Sequence, residues 1–264
     1  MRNIKLVIAY DGTDFSGWQR QGAETADRAA ERTVQGELER ALADMHKHCV
    51  KLTGAGRTDA GVHAAGQSAN FFTDIERIPA ERFVPALNGF LPADVRVVSA
   101  CEAPYGFHAR FDALMRTYRY FLICGRQALP HENRFALNMR RQPNVRLLNE
   151  LCRPLRGEFD CSLFASPADS ALRRGSGSRF RFIRRCGFFA ERDRLVFEVS
   201  ANAFFWKMVR SIVGTLLFYE KACISPGDFA ALLKQARRSD AGPTAPPQGL
   251  FLWKVEYKRN ALSA

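Results

Sequence analysis

From Ile4 to Tyr10 the side chains alternate in polarity with period two and stop at Asp11-Gly12, which predicts a first strand over residues 4–10 running into a turn. The period then changes. Val34, Leu38, Ala41, Leu42 and Met45 fall on one helical face, with Thr33 placed to cap the first free N–H groups. Between these elements residues 23–32 are rich in alanine and charge and have no apolar face, so they read as an exposed extension. Strands are expected at 49–53 and 67–73, separated by a glycine-punctuated loop over 54–66. Pro79 suits the first turn of a helix reaching Asn88, and a strand at 95–100 gives the order β-α-β-β-α-β.

The same pattern language continues with a strand at 117–123, a helix at 145–155 and a strand at 159–164. A hairpin pairs 180–190 with 195–201, and helices follow at 204–219 and 228–237 before a strand at 250–257. Residues 242–247, Gly-Pro-Thr-Ala-Pro-Pro, cannot continue a helix. Residues 166–178, with Asp169, Arg173 and Arg174, have no periodicity and read as a mobile basic loop. The expected fold is α+β, two ferredoxin-like halves with antiparallel sheets, 1–104 and 105–264.

Composition narrows the class. The chain has 264 residues, 47% apolar and 25% charged, which excludes collagen, coiled coil and wholesale disorder. Its net charge of +12 gives a surface field that draws polyanions, with nucleic acid the leading partner over an indifferent basic surface or an anionic membrane. No run approaches the roughly 20 apolar residues of a spanning helix, and the N-terminus has no signal-peptide apolar region, so the expected location is the cytoplasm. The seven cysteines are scattered with no C-x-x-C pair and are expected to be buried thiols. His46 and His48 flank Lys47 beside a helix end, where a cation gains little, so no metal site is expected.

The segment with the most chemistry is Gly54-Ala55-Gly56-Arg57-Thr58-Asp59-Ala60-Gly61-Val62-His63-Ala64. Glycines let its backbone approach a ligand closely, and its interior offers a cation, a hydroxyl and a carboxylate. By residue type alone, Asp59 reads more readily as a turn residue bonding its own backbone than as a catalyst. The loop lacks the Gly-Lys-Ser/Thr ending of a P-loop, and Asp59-Ala60-Gly61 lacks the hydroxyl that follows the aspartate in aspartic proteases.

At this segment the sequence resembles the tRNA pseudouridine synthase A family. The likeness continues in Tyr10-Asp11-Gly12, Gly17-Trp18-Gln19, Phe107-His108-Ala109-Arg110-Phe111, Tyr118-Arg119-Tyr120 and Asn202-Ala203-Phe204. It extends through Met208-Val209-Arg210, Ile212-Val213-Gly214 and Gly249-Leu250. It implies the pseudouridine synthase fold, its two halves joined around a central active-site cleft. The implied reaction isomerises uridine to pseudouridine at positions 38 to 40 of the tRNA anticodon stem-loop, with an aspartate and no cofactor. It also implies a homodimer.

Residue by residue, the resemblance makes Asp59 the catalyst and Arg210 its ionic partner. The physics agrees: a carboxylate in a dry pocket is pushed toward its neutral form, and a guanidinium opposes this. Tyr118 is implied to stack on the target uracil and to serve as the base at C5, and Leu250 to touch the base; ordinary packing accounts for either. Arg57 would fill the space vacated by the extruded nucleotide or grip a flanking phosphate, and Thr58 and Gln67 complete the RNA-contacting set. Attack at C1′, attack at the base and removal of the 2′ proton stay open as routes, and each needs an ionised carboxylate. Surplus cations, among them Arg173, Arg174, Arg179, Arg184 and Arg185, would hold phosphates. His63 and His108 are assigned structural hydrogen bonds, Tyr10 a core position and Trp18 the anchoring of its loop. Lys207, where relatives usually place a histidine, and residues 166–178 depart from the family pattern. A non-catalytic RNA-binding module and a base-excising glycosylase are the rival readings.

Overall fold

The computed structural model describes residues 1–20, 31–166, 178–235 and 238–258. The expected extension therefore lies outside the described residues except at 31–32, and the basic loop lies outside except at its two ends. In chain order the elements are β1 (Arg2–Tyr10), α1 (Val34–His46), β2 (Thr53–Gly54), β3 (His63–Thr73), α2 (Phe83–Phe90) and β4 (Val95–Ala103). There follow β5 (Ala113–Cys124), β6 (Leu137–Met139), α3 (Val145–Cys152), β7 (Gly157–Asp160), β8 (Phe180–Glu191) and β9 (Arg194–Ala201). The last are α4 (Met208–Lys221), α5 (Pro226–Gln235) and β10 (Leu250–Tyr257). The fold is mixed α+β.

The chain forms two compact units, Met1–Leu114 with Phe251–Ala264, and Met115–Leu250. In the first, the strands lie in the order β4-β1-β3-β10, with β1 antiparallel to both β3 and β4. Ile4, Leu6 and Ile8 on the inner face of β1 are fully buried, as are Leu38 and Leu42 of α1. Thr33 caps α1 as its position predicts, accepting from the Gly36 N–H at 3.2 Å. In the second unit the order is β5-β9-β8-β7, all antiparallel.

The expected antiparallel pairing gives way at two places. β10 runs parallel to β3, with Phe251 opposite His63, and β6 runs parallel to β5. Parallel neighbours need long connections, so their pairing leaves no local signature. That contact also starts β3 at His63 instead of residue 67. The strand expected at 49–53 shrinks to Thr53–Gly54. The one expected at 159–164 ends at Asp160 and becomes a 3-10 turn over Ser162–Phe164, which carries Leu163 and Phe164 into the core. The helix expected from residue 204 begins at Met208 because Lys207 takes a left-handed conformation, φ 63 being that of Lys47 and 61 that of Lys207. The cysteines divide: Cys152, Cys161 and Cys186 are buried, but Cys49, Cys101 and Cys223 are exposed, Cys101 standing on the outer face of β4.

Candidate active site

The loop between β2 and β3 is held by main-chain bonds on both sides. Trp18 N donates to Thr58 O at 3.1 Å, and the Thr58 hydroxyl lies 2.8 Å from that of Tyr10. Gly17 makes the first bond feasible: its φ is +105, and a β-carbon there would stand 2.7 Å from Thr58 O. The Asp59 carbonyl accepts from Val62 N at 3.2 Å, closing a turn with Gly61 at φ 73. Asp59 therefore sits half-buried at the head of a turn fixed by its neighbours. Trp18 and Tyr10 are buried, as expected.

The remaining loop residues take distinct places. Gln67 is fully buried; its amide donates to Gly56 O at 2.9 Å and its carbonyl oxygen accepts from Ser68 N at 3.2 Å. Thr58 is buried too, so both of these residues shape the loop from beneath. Arg57 is exposed, and its Nε donates to Gln19 Oε1 at 3.0 Å. His63 Nδ1 accepts from Gly12 N at 3.0 Å, and its ring stacks on Phe251 at 4.6 Å. The Asp11 carboxylate oxygen lies 3.2 Å from the same Nδ1. That is the structural role expected for His63.

Tyr118, Arg210 and Leu250 belong to the second unit. Tyr118 on β5 is 8% exposed and meets Phe204 edge-on at 5.0 Å. Tyr120, two residues on and facing the same way, is fully buried and donates to Pro246 O at 2.9 Å. Burial pushes the Tyr120 phenol up from its ordinary value against the nearby Arg210 charge, so it stays a neutral donor. Arg210 Nε donates to Ala245 O at 2.8 Å, and Ala245 N returns a bond to Arg210 O at 3.0 Å. Leu250 is buried.

Among the described residues no cluster of three or more His, Cys, Asp or Glu side chains is arranged to hold a metal ion, and no helix is long and apolar enough to cross a membrane. Sequence reasoning missed Gln19 as the partner of Arg57, although it stands in the Gly17-Trp18-Gln19 block.

A mixed α+β chain of net charge +12 that presents an arginine and an aspartate two residues apart on a pinned loop has the makings of an enzyme of nucleic acid. The family model described as tRNA pseudouridine synthase matches residues 6–112 and 151–258, and the chain belongs to that family. Its members are isomerases acting on tRNA. The chain is 51% identical over 263 residues to the tRNA pseudouridine synthase A of Treponema denticola, covering 100% of this chain and 96% of that protein. It is 44% identical over 243 residues to that of Treponema pallidum (92% and 84%), and 40% over 258 residues to that of Anoxybacillus flavithermus (97% and 99%).

Proposed function

We propose that this chain converts uridine to pseudouridine at positions 38 to 40 of the tRNA anticodon arm, with Asp59 as the catalytic carboxylate and no cofactor. The observation that carries this reading is Asp59 on a loop fixed by Thr58, Gly61 and Gln67, inside the family match and two residues from an exposed arginine. The reaction balances without an external reagent. The N1–C1′ bond breaks, the C5–C1′ bond forms, C5 loses its proton to solvent and N1 gains one.

In this reading Arg210 keeps the carboxylate charged, Tyr118 stacks on the uracil and takes the C5 proton, and Leu250 packs on the base. Arg57 supports the nucleotide as it leaves the stack, a step that costs a few kcal/mol. Thr58 and Gln67 contribute by holding the loop. Arg179, Arg184 and Arg185 contribute phosphate contacts with little sequence information. The enzyme works as a homodimer in the cytoplasm.

The test is tRNA carrying tritium at uracil C5. Isomerisation releases tritium to water, a glycosylase releases labelled uracil, and an RNA-binding module releases nothing. Asp59→Asn should abolish release while tRNA affinity stays within about tenfold, because many phosphate contacts govern binding. Loss of binding in that variant, or retained release, refutes the assignment.

A further inference from the structure

The block Phe107 to Phe111 has no task in the reaction as proposed, yet it folds into a firmly bonded turn. Phe111 is 77% exposed. A side chain of this size that folding ordinarily hides stands in water, and so large an exposure leaves at least one face of the ring open. The ring is not loose. His108 lies against it with centroids 4.3 Å apart and planes 30° apart.

His108 is itself fixed, because its Nδ1 accepts from Arg110 N at 3.2 Å and Phe111 N at 3.3 Å. That arrangement leaves the ring proton on Nε2 and an aromatic face toward Phe111. Asp112 closes the turn: its carboxylate accepts from His108 N at 2.8 Å, and its N–H donates to His108 O at 3.1 Å. The base of the turn is anchored, with Ala109 N donating to Asn70 Oδ1 at 2.9 Å and Tyr257 Oη donating to Ala109 O at 2.7 Å. Phe107 and Ala109 share a buried cluster with Ala55, which opens the loop carrying Arg57 and Asp59.

A single exposed ring beside a cation makes a poor hydrophobic patch. It does match an unstacked nucleobase, since every base has a π-face and the Arg110 guanidinium stands 5.9 Å from the ring centre. A platform already held in place loses little freedom on binding. We propose that Phe111, backed by His108 and flanked by Arg110, is a stacking platform for an unpaired nucleobase of the bound tRNA. The proposal rests on tRNA being the substrate and not on the role of Asp59.

The experiment measures binding of a labelled tRNA transcript to the full chain at fixed salt, beside tritium release. Phe111→Ala should weaken binding about tenfold, Phe111→Trp should restore it, and Phe111→Leu should not, because leucine has bulk without a π-face. The thermal midpoint should not move in any of the three, since the side chain lies mostly in water. Unchanged affinity in the alanine variant, or full affinity in the leucine variant, overturns the proposal. So does a fall in oligomeric mass on sedimentation of Phe111→Ala, which would make the ring a protein contact. If Asp59→Asn kept its tritium release, the catalytic reading would fail and these binding outcomes would stand apart from it.

Discussion

Arg57 Nε donates to Gln19 Oε1 at 3.0 Å, and Gln19 Nε2 donates in turn to Gln35 Oε1 at 2.7 Å. Gln35, only 8% exposed, is tied to Glu39 Oε1 at 2.9 Å and to Leu52 O at 3.2 Å, so α1 reaches the loop arginine through two amides. Among the described residues the bond to Gln19 is the one hydrogen bond of this guanidinium. An amide orients the cation without cancelling its charge, which a carboxylate at position 19 would do. Gln19→Ala should lower kcat/KM about tenfold and Arg57→Ala by more, with the double variant no worse than Arg57→Ala. Multiplicative losses would show that Gln19 acts independently of Arg57.

Tyr118 keeps its contact with Phe204 through the ring alone. Tyr118→Phe preserves that packing and any stacking on uracil, and removes only the hydroxyl. If the phenol takes the C5 proton, kcat should fall by about a hundredfold or more while the tRNA dissociation constant is unchanged. A phenylalanine variant turning over at the wild-type rate would confine Tyr118 to stacking.

The parts of the fold that were legible are those with one face in the core and one in water. β1 and α1 qualify, and their periods of two and 3.6 stand in the sequence because Ile4, Leu6, Ile8, Leu38 and Leu42 had to be apolar. The β3–β10 pairing was not legible, because it joins His63 to Phe251 without either segment announcing the other. Nor was the start of α4, set by a lysine in a conformation that lysines rarely adopt. At the site, the glycines of the loop advertised its shape, whereas Gln67 read as an RNA contact and is a buried strut. Phe111 gave no warning of its exposure, since an apolar residue is taken for core until a structure shows otherwise.

Gly214 on α4 lies against the connector that follows α5. A β-carbon there would stand 1.7 Å from Pro243 O, while Gly242 N donates to Thr215 Oγ1 at 3.1 Å and Ala245 bonds Arg210. Gly214→Ala must push the connector away and loosen the anchor of Arg210, costing roughly 2–3 kcal/mol in urea unfolding. Gly89 in α2 has no atom within 4 Å of its added β-carbon, so Gly89→Ala should stabilise by about 0.5–1 kcal/mol. Equal effects of the two would mean that the close approach at Gly214 does not constrain the fold.

Glu132 supplies a pH dependence with a defined sign. Its carboxylate accepts from Arg126 at 2.7 and 2.8 Å and from Leu129 N at 2.8 Å. The Arg126 guanidinium, then the Leu129 N–H, outweigh burial and hold the carboxyl at about 2 from an ordinary 4.5. A carboxyl with a depressed pKa binds its proton more readily when unfolded, so its contribution is complete above pH 4.5 and lost as pH falls toward about 2. The gap in urea midpoint between the wild type and Glu132→Gln should therefore be constant above about pH 5 and close between pH 4.5 and 2. A gap that widened on acidification would mean that the protonated carboxyl, and not the ion pair with Arg126, is what the fold prefers.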